Sequence, residues 1–245
     1  VKSLQGERLS VATIEGDGLA GDRAWGVRDA RTGKVLTGRR EPKLLLACAS
    51  LNDDATPHVV LPDGTTSDGT GPATDSTLSA WLGHPVELVS AAAAPPAIGE
   101  YFDDATDDTS QVLEWTMPAG RFVDTLPLLI LTTASLRAGA SALPAGDWAV
   151  RRFRPNILIG TEGIGCIEDG WCGQVLRVGA VEVMVERPCV RCTMVTRAQP
   201  GIARNLDVYR TLLATHAGTF GVMAAIRTEG TVREGDRVEL APRRW

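Results

Sequence analysis

The stretch Arg187-Pro188-Cys189-Val190-Arg191-Cys192-Thr193-Met194-Val195-Thr196 follows an alternating apolar run, Val181 to Glu186, and leads into further β-prone residues. A C-x-x-C pair that opened a helix after a strand would point to a thioredoxin-like βαβ unit. Here strand signals lie on both sides, which predicts a β-rich fold carrying its sulfur at a strand end. A thiol beside a guanidinium is a poised ligand or nucleophile, because the positive charge favours ionised sulfur. A second basic knot, Arg151-Arg152-Phe153-Arg154-Pro155-Asn156, lies upstream. Pro155 predicts an extended Arg154, which would set Arg154 and Asn156 on one face, able to donate to a phosphate. A salt-bridged surface strand is the alternative.

Outward from these knots, strands are expected at 156–160, 174–178 and 180–186, the last two joined by Gly179. Leu126-Pro127-Leu128-Leu129-Ile130-Leu131 reads as a buried strand, and Thr132 to Leu136 as the capped start of a short helix. Leu206, Tyr209, Leu212 and Leu213 fit one helical face, and 222–227 and 237–240 close the chain as strands around Glu234-Gly235-Asp236. Towards the N-terminus, Val11 to Ile14 and Arg23 to Val27 read as strands around a glycine-rich turn. Residues 44–49 form an apolar run, 52–74 a polar loop, 75–82 a helix and 86–89 a strand. Residues 91–120 read as a connecting excursion with a junction near 118. The pattern predicts a mainly β fold with an α/β insertion.

At 245 residues and 44% hydrophobic, the chain can bury a substantial core. A net charge of -5 gives no general electrostatic reason to bind nucleic acid or an anionic membrane, so any anion site must be local. Only Lys2, Lys34 and Lys43 are lysines. The arginine excess reflects either codon usage or bidentate anion sites. Five cysteines are too few and too irregular for a disulfide scaffold, so reduced thiols and a cytoplasmic location are expected. No apolar run is long enough to span a bilayer, and no signal pattern opens the chain. The sequence starts at Val1 on what reads as a strand, so a few residues are expected to precede it.

Three readings of Cys189 and Cys192 stay open at this point. Zinc would need Cys166 and Cys172 as well. A redox dithiol would need a helix, and a single thiolate would serve a soft metal held mainly by a cofactor. His58, His84 and His216 are isolated and read as structural, Trp25 and Trp171 as core anchors. The glycines of 16–21 match neither a P-loop nor a dinucleotide fingerprint.

Several ordered segments together resemble the MOSC superfamily, the molybdenum cofactor sulfurase C-terminal domain, in members that also carry a MOSC N-terminal-type module. They are Val1-Lys2-Ser3-Leu4-Gln5-Gly6, Gly21-Asp22-Arg23-Ala24-Trp25, Thr37-Gly38-Arg39-Arg40-Glu41-Pro42, Asp124-Thr125, Phe153-Arg154-Pro155-Asn156, Glu168-Asp169-Gly170-Trp171, Val190-Arg191-Cys192-Thr193 and Gly235-Asp236. The resemblance implies a discontinuous MOSC β-barrel, 1–25 with 118–245, and a smaller inserted α/β module of MOSC N-terminal type, 26–117.

It further implies a molybdenum–molybdopterin cofactor, as in the mitochondrial amidoxime-reducing component and bacterial relatives that reduce N-hydroxylated compounds. Cys192 matches the metal thiolate, with Arg191 beside it as the second catalytic candidate. Lys2, Ser3, Arg23, Thr125, Arg154, Asn156 and Arg191 match positions around phosphate and pterin. Asp22 and Asp169 are candidates for a proton relay. Electrons would come from an external ferredoxin, flavoprotein or haem protein, since no four-cysteine ferredoxin run is present. No nucleic acid or membrane partner is expected. The alternative within the superfamily is a sulfur carrier using a persulfide on Cys192 or Cys189. Two departures stand out: Arg197-Ala198-Gln199-Pro200-Gly201 replaces an Asp-Pro turn, and Leu126 replaces a serine of the reductases.

Overall fold

The computed structural model describes residues 1–93 and 96–241. The chain divides into two compact units, each assembled from pieces distant in sequence. The first contains Val1–Glu7, Gly21–Thr125 and Ala198–Gly201; the second contains Arg8–Ala20, Leu126–Arg197 and the chain from Ile202 on. This division differs from the expected one, and strand pairing is the reason. Val11–Glu15 pairs antiparallel with Gly230–Arg233, whereas Trp25–Asp29 pairs with Val86–Ser90. The glycine-rich turn therefore separates partners in different sheets, and residues 1–4 form a turn instead of a strand.

The first unit holds three small antiparallel sheets. Besides the Trp25–Asp29 pair, Cys48–Leu51, Pro57–Val60 and Thr66–Asp68 form a meander, and Ile98–Phe102 pairs with Val112–Thr116. The apolar run at 44–49 splits into a 3-10 turn, Pro42–Leu46, and the first meander strand, and the expected loop 52–74 carries the other two strands. Helix Pro72–Leu82 begins with a proline that needs no helical donor and ends at left-handed Gly83. It buries Leu78 and Leu82 among Leu44, Val59, Val86 and Leu88. The stretch 91–120 is built structure, because Met117 and Phe122 pack on Val35 and Ala91; Ala94 and Pro95 lie outside the described residues.

The second unit is dominated by a six-stranded sheet. Its order is Ile157–Ile159, Leu128–Thr132, Thr219–Thr228, Val181–Val190, Val175–Val178, Val238–Leu240. Only the first pair is parallel, and the helix Thr133–Ala142 lies in the crossover that such a pair requires. Register shifts along Val181–Val190 mark bulges, which bend and twist the strands they interrupt. Alternate residues Val181, Val183 and Val185 enter the core with Ile14, Leu128 and Val222. Thr132 caps the crossover helix, its Oγ1 accepting from Ser135 N at 3.1 Å.

Beneath the helices Trp148, Phe153 and Phe220 stack within 5.6 Å of one another, between centroids. Gly139 in the crossover helix is required by that cluster. A Cβ there would lie 2.2 Å from Trp148. Helix propensity favours alanine by about 1 kcal/mol, but the overlap should win. Gly139→Ala is expected to destabilise by about 1–3 kcal/mol, measured by chemical denaturation.

Candidate functional site

The site of greatest chemical interest in the second unit begins where Val181–Val190 leaves its sheet. Val190 is 75% exposed there. Cys192 follows, half-buried, with extended backbone angles (φ -123, ψ -177), and precedes the 3-10 turn Thr193–Thr196. The turn starts after the second cysteine, so the pair lacks the helix-opening geometry of a redox dithiol.

Arg191 makes contacts beyond those expected from its adjacency to Cys192. Its Nη1 donates to Cys189 Sγ at 3.3 Å, and its Nη2 donates to the carbonyl of Phe153 at 2.6 Å. Alternation accounts for the Cys189 contact: in extended chain, residues two apart share a face. The guanidinium also lies 5.9 Å from the Phe153 ring centroid. Arg191 is therefore a tie between the cysteine segment and the Phe153 segment.

Arg154 departs from expectation as well. It is not extended but left-handed (φ 57, ψ 45), closing the four-residue helix Val150–Phe153 with its N–H on the Val150 carbonyl at 3.1 Å. Pro155 disfavours a right-handed Arg154, and the helix end supplies the left-handed solution. Such a conformation costs a non-glycine residue about 1–2 kcal/mol. Asn156 is clamped to the next strand, its N–H on Leu129 O at 2.8 Å and its Oδ1 accepting from Leu129 N at 2.9 Å. Arg154 and Asn156 thus flank Pro155 on a fixed corner, whose preceding carbonyl is held by Arg191.

In the first unit, Lys2, Ser3 and Arg23 share a second polar cluster. Lys2 Nζ donates to Phe122 O and to Asp124 Oδ1, both at 2.8 Å, and Arg39 also pairs with Asp124. Ser3 Oγ accepts from Gly38 N at 2.9 Å, and the Arg23 carbonyl accepts from Phe122 N at 3.0 Å. Arg39 stacks 4.8 Å from the Trp115 centroid. Burial pushes the Lys2 ammonium down from its ordinary pKa, against the opposing pull of Asp124. Burial alone would raise Asp124, yet the charges of Lys2 and Arg39 hold its carboxyl well below the usual range. Thr125 is exposed beside them. Asp124, Arg39 and Trp115 were not assigned roles from sequence, although the first two lie in motifs that carried the resemblance.

Backbone strain marks the same positions. Among the described non-glycine residues, Ser3, Arg23 and Arg154 have positive φ (66, 52 and 57), alongside Ala55 and Ala217. Strained backbone persists where surrounding structure enforces it, often at ligand sites. Three of these five are positions that the resemblance places around phosphate and pterin.

The remaining candidates resolve differently. Among the described residues no three metal-ligating side chains gather, so the zinc reading with Cys166 and Cys172 has no site. Each histidine faces a carboxylate: His58 with Asp68, His84 with Asp29, His216 with Asp169 at 2.6 Å. Asp169 is engaged there, and Asp22 lies 3.5 Å from Arg23. Trp25 and Trp171 pack against the cores of their respective units, as anchors should. The second unit also holds a cavity of about 300 Å³ lined by Ala138, Cys166, Leu212, His216 and Phe220 among others. None of the ligand-assigned residues reaches it.

Burial pushes the Cys166 and Cys172 thiols up, while Cys48 is exposed. Cys48 is therefore expected to alkylate at least about tenfold faster than Cys166 and Cys172 at neutral pH. Peptide mapping after timed iodoacetamide labelling checks the order.

The profile of the "MOSC N-terminal beta barrel domain" matches residues 1–107, and that of the "MOSC domain" matches 119–239. Mitochondrial amidoxime-reducing component 1 of Mus musculus is 27% identical over 281 aligned positions, covering 98% of this chain and 79% of that protein. A solved structure described as a hypothetical protein aligns with TM-score 0.39 and 17% identity over 50% of this chain and 55% of that one. YiiM from Geobacillus stearothermophilus aligns with TM-score 0.36 and 12% identity over 48% and 55%. Among the described residues, no helix is long and apolar enough to cross a membrane.

Proposed function

Because the chain belongs to the MOSC superfamily, joining a MOSC N-terminal beta barrel domain to a MOSC domain, we propose that it binds a molybdenum–molybdopterin cofactor and reduces N-hydroxylated small molecules. The observation that carries this reading is the tie in the second unit: Arg191 holds the Phe153 carbonyl at 2.6 Å and so couples the Cys192 segment to the Arg154-Pro155-Asn156 corner. The donor chemistry fits such a group. Sulfur suits a soft metal, and a guanidinium with a carboxamide suits phosphate and pterin edges.

In this reading Cys192 ligates the metal, Arg154 and Asn156 hold polar atoms of the cofactor, and Arg191 positions both segments. Lys2, Ser3, Arg23 and Thr125 are assigned to phosphate and pterin by the resemblance alone, and each assignment is tested by its own substitution. The bound cofactor supplies two-electron redox chemistry; removing oxygen from an N-hydroxylated base consumes two electrons and two protons and releases water. The electrons come from a separate ferredoxin, flavoprotein or haem protein.

Protein made in a molybdenum-replete host should contain molybdenum and a fluorescent pterin oxidation product in equal amounts. It should also turn over benzamidoxime with a reduced viologen as donor. Absence of both metal and turnover in folded protein would refute the reading. The contact of Arg191 with Cys189 favours a second reading, in which Cys189 carries transferable sulfur as a persulfide. Cyanide-labile sulfur in metal-free protein, lost on Cys189→Ser, would select it.

A further inference from the structure

The second unit contains a buried arginine to which sequence gave no role of its own. Arg152 is 0% exposed. Its three nitrogens all go to backbone carbonyls: Nε to Asp147 at 2.8 Å, Nη1 to Val195 at 2.9 Å and Nη2 to Ala203 at 3.1 Å. Its nearby acid is Asp147, 3.9 Å away and 41% exposed. A buried guanidinium so weakly countered is costly to desolvate. Burial accordingly lowers its pKa. A charge kept here at that cost calls for a use, and its geometry supplies one.

Val195 lies in the 3-10 turn Thr193–Thr196 that follows Cys192, and its own N–H is on the Cys192 carbonyl at 3.2 Å. Arg152 therefore grips the chain just after the cysteine. Its sequence neighbour Phe153 is gripped in the opposite direction by Arg191, just before the cysteine, at 2.6 Å. One short helix, Val150–Phe153, thus sends a guanidinium to one flank of Cys192 and receives one from the other. The same helix ends at left-handed Arg154.

We infer that Arg152 is a positioning residue, paired with Arg191 in a reciprocal brace that fixes Cys192 relative to Arg154 and Asn156. Its use to a bound cofactor rests on the proposed function; the brace itself does not. Replacing the fork leaves the Val195 and Ala203 carbonyls without their charged donor, and the loss should be felt first in the cysteine turn.

The test is timed alkylation of metal-free Arg152→Met and Arg152→Lys, following Cys192, Cys166 and Cys172 in the same sample. Arg152→Met should raise the Cys192 rate about tenfold, the factor expected for one charged hydrogen bond lost, with Cys166 and Cys172 changed less than about twofold. Arg152→Lys, which can reach fewer carbonyls, should fall between, and it carries the test if the methionine variant does not fold. An unchanged Cys192 rate, or equal acceleration of all three thiols, would overturn the inference, since the latter is general loosening of the core. Molybdenum retention is read separately on protein from a replete host. Faster cofactor loss in both variants extends the brace to the ligand, whereas a wild type without metal removes the cofactor reading and leaves the thiol result standing.

Discussion

Cys192→Ser is expected to lose bound molybdenum by well over tenfold while the second unit stays folded. Even outer-shell partners of metal ligands are worth about 10–100-fold in affinity, and a ligand itself should be worth more. A serine hydroxyl is not ionised at neutral pH and is a harder donor than a thiolate, so it replaces neither the charge nor the softness. The fold has little to lose. Cys192 is half-buried and outside the sheet, whose strand is anchored by Val181, Val183 and Val185 in the core. A stability change within about 1 kcal/mol is expected. Cys189→Ser is the matched control. It removes the sulfur under Arg191 but leaves the 2.6 Å tie to Phe153, so metal should persist near wild-type level. Metal retained in Cys192→Ser would sink the ligand assignment, and metal lost in Cys189→Ser instead would move it by three residues.

What was readable in advance follows from the range of the interactions involved. The Val181–Val190 strand, the Thr132 cap and the helix Leu206–His216 are local patterns of alternation, capping and helical period, and all are present. The conformation of Arg154 is not legible in the sequence, because a helix of four residues is too short to show a period and its left-handed end cannot be seen from Pro155 alone. The basic knot looked uniform but is not: Arg151 faces solvent, Arg152 is buried, and Arg154 closes the helix. The hairpin of 98–116 was hidden by its acidic loop and by strands whose outward residues, Val112, Glu114 and Thr116, alternate with only half-buried partners. Pairing of Val11–Glu15 with Gly230–Arg233 spans nearly the whole sequence, and no local signal encodes it.

The ion pair of Lys2 and Asp124 is equally distant in sequence, and it yields the other large effect. Asp124→Asn should destabilise the first unit by about 1–3 kcal/mol, because Lys2, only 7% exposed, loses its counter-charge. Asp124 itself is 44% exposed, which holds the cost below that of a fully buried broken pair. Lys2→Met should cost less, within about 1 kcal/mol, since it removes the buried charge with its desolvation cost and leaves Arg39 on Asp124. The two variants therefore separate folding from ligand binding: under the proposed function, Lys2→Met should weaken an anionic cofactor while lowering the denaturation midpoint less than Asp124→Asn does. The pH dependence follows from the same pair. The unfolded carboxyl protonates near its ordinary 3.8, whereas the folded one stays ionised to lower pH. Stability from Asp124 is thus fully present above about pH 4 and is lost as pH falls below it towards the depressed folded pKa. Urea denaturation at pH 6, 4 and 3 should show wild type losing stability between the last two values, with Asp124→Asn starting lower and losing less over that interval. An Asp124→Asn curve parallel to wild type would show that the carboxylate is not linked to folding, and the buried Lys2 would then need another counter-charge.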